Sequence, residues 1–172
     1  MARSRTSPRP RPRLAALVLV SLAACSCAKL ARCEMDRVRA DVLDYEAQMK
    51  PLQPQERQLR MRIDEFEGKI FTNQKAGVDL LEAVLVRATS DFARNLAAVR
   101  VRSHLLRPHH QQKVHAYQEL ALAYAKLVRA YPQADFAAIR AGLKAREQAM
   151  KKLEAVQVKL ARMIQKYKRR HR

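Results

Sequence analysis

The chain has 172 residues, 48% hydrophobic and 30% charged, which predicts one folded domain and excludes a chain that is disordered throughout or built of several enzyme domains. Three glycines, four Phe, five Tyr and no Trp argue against sandwiches, barrels and Gly-rich nucleotide-binding folds, leaving long helices. The formal charge of +19 implies an anionic partner without naming it, because nucleic acid, lipid head groups and cell-wall polymers are all anionic.

Residues 1–24 differ in kind from the rest. Arg3, Arg5, Arg9, Arg11 and Arg13, with no acid, precede the apolar run Leu14 to Ala24, the order of a basic n-region and an h-region. As a helix that run would cover about 16 Å, roughly half of the ~30 Å hydrocarbon core, so it is not a conventional membrane span.

The run ends in Leu22-Ala23-Ala24-Cys25, and here the sequence resembles the bacterial lipoprotein signal, whose lipobox is an apolar residue, two small residues and a cysteine. The resemblance covers residues 1–25. It implies that residues 1–24 are removed, that Cys25 opens the mature chain and takes the lipid, and that residues 25–33 form a linker. It also implies a membrane partner through that anchor and a place in the bacterial cell envelope. Ser26, where sorting by this signal would read Asp, implies the outer membrane, facing the periplasm, if the cell has one.

Two alternatives stay open. One is an ordinary secretory signal with Cys25 a bystander. The other, raised by Pro8, Pro10 and Pro12 alternating with arginine, is the basic arm of an intracellular nucleic-acid binder. With Cys25 lipidated, Cys27 and Cys33 form an even pair in a compartment where disulfides persist. A bridge between them needs irregular backbone before Glu34, because residues six apart do not face each other on a helix; free thiols or an intermolecular bond are the alternatives.

From residue 34 the spacing predicts an all-α fold, an elongated antiparallel helical bundle or set of coiled-coil hairpins over 34–168, with a basic tail at 169–172. Met35, Val38, Val42, Tyr45, Met49 and Leu52 make one stripe and a helix at about 34–50. Pro51 and Pro54 predict a turn at 51–54. Leu59, Ile63, Phe66, Ile70, Leu81, Leu85, Phe92, Leu96 and Leu106 then predict a helix at about 55–107, broken or kinked near 72–77, with a reach of about 80 Å. Val114, Tyr117, Ala121, Tyr124 and Val128 predict a helix over 109–131. Phe136, Ile139, Leu143, Met150, Leu153, Leu160 and Ile164 predict a last helix over 132–168, opened by Pro132 and carrying Arg146 and Gln157 at stripe positions.

Charge is polarised along the chain. Residues 34–67 hold 9 acids and 6 Lys or Arg, whereas 68–172 hold 7 acids and 22 Lys or Arg. The excess peaks at the end, where Lys166, Lys168, Arg169, Arg170 and Arg172 predict a frayed, solvated tail that contacts an anionic partner.

Signals for chemistry are sparse. His104, His109, His110 and His115 cluster near Pro108, but no cysteine or carboxylate accompanies them at ligand spacing, so exposed histidines and no metal site are expected. Asp64, Glu65 and Glu67 lie among Arg57, Arg60 and Arg62 and predict surface ion pairs. No catalytic residue, no enzyme activity and no cofactor are expected, since neither a phosphate loop nor a nucleophile elbow is present.

The leading expectation is a lipid-anchored envelope protein acting as helical spacer, adaptor or scaffold. Its candidate partners are peptidoglycan, anionic lipid head groups or an acidic envelope protein, with self-association left open. A periplasmic holdase with exposed apolar grooves is a second expectation. An intracellular nucleic-acid binder is a third, disfavoured because it makes the lipobox accidental.

Overall fold

A computed structural model of the chain describes residues 33–169; residues 1–32 and 170–172 lie outside the described part. The signal segment, Cys25, Cys27, Arg170 and Arg172 therefore all lie outside it. The chain divides into two units, 1–38 and 39–172; the described part of the first, 33–38, is helical. The described residues are all-α, with no strand among them, and the second unit is a helical bundle.

Helix α1 covers 33–49. A single 3-10 turn, Lys50–Leu52, joins it to α2, Gln53–Thr72. The turn expected at 51–54 does not form. Pro51 and Pro54 each occupy one of the first two positions of a helical segment, where a missing N–H breaks no intrahelical bond, and Met49, Leu52 and Gln53 all keep right-handed helical dihedrals. The chain keeps its direction through the joint. Glu46, Arg60 and Glu67 meet Lys168, Gln157 and Arg146 of the last helix in that order, one strictly antiparallel run.

The reversal comes instead at Asn73. Its backbone leaves the helical region at φ −147° and ψ 87°, its N–H donates to Lys69 O, and its side-chain oxygen caps α3, Gln74–Leu80, by accepting from Ala76 N at 3.1 Å. A π-helical turn, Leu81–Leu85, and α4, Val86–Ala97, continue back along α2, so that Asn95 reaches Gln55. The single 55–107 helix is thus two antiparallel pieces, and the 80 Å reach expected of it does not arise.

Helix α4 ends at Ala97, and residues 98–106 form a loop tied down by side chains. Gln48 of α1 donates to Arg100 O and accepts from Arg100 N, at 3.1 and 3.0 Å, and Arg107 donates to the carbonyls of Val101 and Arg102. Helix α5, Arg107–Ala130, then runs parallel to α2: Tyr45 pairs with His110, Glu56 with Lys113 and Tyr117, and Phe66 with Tyr124.

Helix α5 stops in a Schellman turn. Asp135 N donates to Ala130 O and Ala134 N to Tyr131 O, with Ala134 in the left-handed region at φ 49°. Pro132 belongs to this turn. The last helix, α6, begins four residues later at Phe136 with Asp135 as its cap, Oδ1 accepting from Ala138 N, and extends to Arg169, one residue past its expected end at 168.

The second unit therefore runs up through 39–72, down through 74–97, up through α5 and down through α6. Its core is the summed apolar stripes: Val42, Tyr45, Leu59, Ile63, Phe66, Leu81, Leu85, Phe92, Leu96, Leu120, Leu127 and Leu153 are all buried. Helix α5 contributes Tyr117 and Tyr124, whose rings meet Phe92 and Phe66 edge-on at 4.7 and 5.9 Å.

Candidate functional site

The expected contact residues at the end of the chain do not act alike. Lys166 is exposed, with its ammonium 5.6 Å from the Tyr167 ring. Lys168 is bound to Glu46 of α1 at 2.7 Å, which fastens the end of α6 onto the bundle. Arg169 is helical, and Arg170 and Arg172 lie outside the described residues.

A larger cationic feature lies on α6 itself. Gly142, Ala149, Leu153, Val156 and Leu160 fall on its buried side. At about 100° per residue, Arg140, Lys144, Lys151, Lys159, Arg162 and Lys166 fall on the opposite side, and all six are exposed. Lys151 is paired with Glu147 at 2.6 Å. No carboxylate of the described residues lies within ion-pair distance of Arg140, Lys144, Lys159, Arg162 or Lys166, whereas Arg146, Lys152 and Lys168 are taken up by Glu67, Glu119 and Glu46. From residue 140 to 166 the row runs about 39 Å. These cations recur at helical spacing in the sequence, although the densest run of charge lies at the terminus.

A second polar cluster joins α2, α5 and α6. Glu56 accepts from Lys113 Nζ, Tyr117 OH and Gln157 Nε2, each at 2.9 Å, and Arg60 bonds Gln157 and lies 3.7 Å from Glu56. Lys113 keeps only 7% of its side chain exposed and Glu56 14%. Burial pushes the Glu56 carboxyl up, but the Lys113 charge and the Lys113 and Tyr117 hydrogen bonds outweigh it and hold the group below the usual carboxylate range. Burial, Glu56's charge and its hydrogen bond push the Tyr117 hydroxyl the other way. Every member is a partner of another, so the cluster holds three helices together. Lys113 sits one residue before the stripe position Val114, the one sign of it in the sequence.

The four histidines separate. His104 and His115 are exposed and His109 is half-buried, but His110 is buried, contrary to the expectation of exposed histidines. Its Nε2 donates to Leu96 O at 3.1 Å, which leaves Nδ1 to accept from Tyr45 OH at 3.3 Å. Burial, aided by the Lys113 charge and opposed by the Leu96 bond, keeps the ring neutral by lowering its pKa. No three His, Cys, Asp or Glu side chains gather as a metal set among the described residues.

The acidic trio also divides. Glu65 pairs with Arg62 and Lys69 at 2.7 and 2.6 Å, Glu67 crosses to Arg146, and Asp64 is exposed. Cys33 is an exposed free thiol on a helix; its candidate partner Cys27 lies outside the described residues. Between α2 and α4 an open groove of about 950 Å³ has Leu59, Val84, Ala88 and Phe92 among its lining residues, with Arg62, Glu65 and Asp91 also along it. Among the described residues no helix is long and apolar enough to cross a membrane.

Comparison with protein-family models, curated proteins and solved structures finds no match to this chain.

Proposed function

We propose that the chain is a lipid-anchored protein of the bacterial cell envelope, a helical adaptor that presents the outer face of α6 to an anionic wall polymer. The observation that carries the contact is the row Arg140, Lys144, Lys159, Arg162 and Lys166, five exposed cations with no carboxylate of the described residues within ion-pair distance. Such a row repels itself, and an extended polyanion both relieves that repulsion and gains entropy from the counterions it releases. The anchor is read from Leu22-Ala23-Ala24-Cys25 after its apolar run. The protein acts by binding, with the Glu56 cluster tying α6, which carries the row, to α2 and α5, and His110 tying α5 to α1 and α4.

Two experiments test this reading. In a bacterial host, wild type should partition with membranes at a mass that includes lipid and lacks residues 1–24, while Cys25→Ser remains an unprocessed precursor; equal masses contradict the anchor. In sedimentation with purified cell wall, replacing the five row residues by Gln should weaken binding strongly; wild-type binding by that variant contradicts the contact.

The groove between α2 and α4 favours a second reading, a periplasmic holdase whose clients lie along the exposed Met61. Suppression of client aggregation that a Met61→Ser variant loses, with no cell-wall binding by wild type, would favour it over the adaptor.

A further inference from the structure

We propose that the end of the bundle carrying Phe71 and Phe136 docks onto the head-group layer of an anionic lipid bilayer. The two rings come from different segments. Phe71 is the penultimate residue of α2 and Phe136 the first of α6. Because α5 runs parallel to α2 and α6 antiparallel to both, the corner at Asn73 and the turn at 131–135 lie at one end of the bundle, with both rings there.

The rings are 87% and 76% exposed, whereas the chain's other two phenylalanines, Phe66 and Phe92, are 0% and 2% exposed. The fold buries phenylalanine where it has a core to offer. At this end it leaves two in water, at a cost that a lipid interface removes by taking up the apolar area.

Charge selects the occupant. Lys75, Lys126, Arg129 and Arg140 are exposed at the same end, and no described carboxylate lies within ion-pair distance of them. Lys126 and Arg129 share a depression with Ala138 and Ala141 of the first turns of α6, close to Phe136 in the chain. Of the acids here, Asp135 is committed as the cap of α6, and Asp79 lies further along α3. Exposed aromatic rings and cations without an ion pair at one end of the bundle match a surface with phosphates outside and hydrocarbon below. The docking surface is formed by the helix ends and needs no membrane-crossing segment.

Because the chain has no tryptophan, single Trp reporters test the proposal locally. In the full chain carrying Cys25→Ser, which removes the acylation site, Phe71→Trp and Phe136→Trp are compared with Leu122→Trp, a 64% exposed site on the side of α5. With phosphatidylglycerol vesicles, emission at 71 and 136 should shift to the blue and be quenched by brominated acyl chains, while 122 stays unchanged. Lys75→Glu with Arg129→Glu should weaken the response at least ten-fold, and phosphatidylcholine vesicles should give little.

Adhesion through the apolar run at 14–24 would leave the reporters at 71 and 136 unshifted and so overturns the proposal. An equal shift at 122, or indifference to vesicle charge, overturns it too. A blue shift that rises with protein concentration without vesicles overturns it in favour of a second copy of the chain. Arg140 is left intact, so this result and the cell-wall result are separable.

Discussion

A β-carbon placed on Gly77 would lie 2.9 Å from Ile70 Cα and 3.0 Å from Ile70 N. The hairpin at Asn73 closes only because α3 brings bare backbone against α2 there. Gly68, mid-helix and exposed, has nothing within 4 Å of such a carbon. The two glycines therefore predict opposite signs. Gly68→Ala should stabilise by about 0.5–1 kcal/mol through helix propensity, whereas Gly77→Ala should destabilise by about 1–3 kcal/mol, because backbone cannot move aside as a side chain does. Denaturant midpoints of the two variants read the difference.

The Glu56–Lys113 pair is nearly closed off from water, so removing one partner leaves the other charged and uncompensated. Glu56→Ala should cost about 3 kcal/mol in urea unfolding, and Lys113→Met a comparable amount, while the double change Glu56→Leu with Lys113→Met should recover a good part of the loss. Additive losses in the double variant would contradict a coupled pair.

His110 and Glu56 predict a stepped response to acid. Burial holds His110 below its ordinary 6.5, so the folded state binds fewer protons than the unfolded chain below that pH. Its contribution is fully present above pH 6.5 and is lost as pH falls toward the lowered folded value. Glu56, held below 4.5, keeps its contribution above pH 4.5 and loses it as pH falls further. Melting temperature should decline in two phases, and His110→Gln should lower the plateau while removing the upper phase only.

Ala134 pays for a left-handed residue at the position where Schellman turns usually carry glycine. Ala134→Gly should raise stability by about 0.5–1 kcal/mol without changing helix content. Calorimetry and circular dichroism together check it.

Helix content and most core residues were legible because stripes at three-and-four spacing report which side of a helix is buried. The Tyr117 and Tyr124 stripe is the clearest case, and both side chains are in the core. The path of the chain was not legible, because proline carries two meanings. Pro51 and Pro54 remove donors, which marks a break inside a helix and costs nothing in its first turn, and only the pairing of α1 and α2 with α6 decides between them. The polar stretch at 73–77 likewise marks an interruption, but whether it kinks or reverses depends on the approach of Gly77 to Ile70. Lys113 is charged yet buried because Glu56, 57 residues away in sequence, faces it. Pairings at that range leave no local signature. The α6 row has one, since its cations recur at helical spacing, but the densest run of charge lies at the terminus, where Lys168 is spent on Glu46.

The most direct measurement for the adaptor reading is the salt dependence of binding to purified cell wall, recorded for wild type and for the variant with Arg140, Lys144, Lys159, Arg162 and Lys166 replaced by Gln. Surface charges are screened within about 8 Å at physiological salt, and each cation engaged by a polyanion adds to the slope of log affinity against log salt. The account predicts a steep fall for wild type and both weaker binding and a flatter slope for the variant. Equal sedimentation of the two proteins at every salt concentration would contradict it.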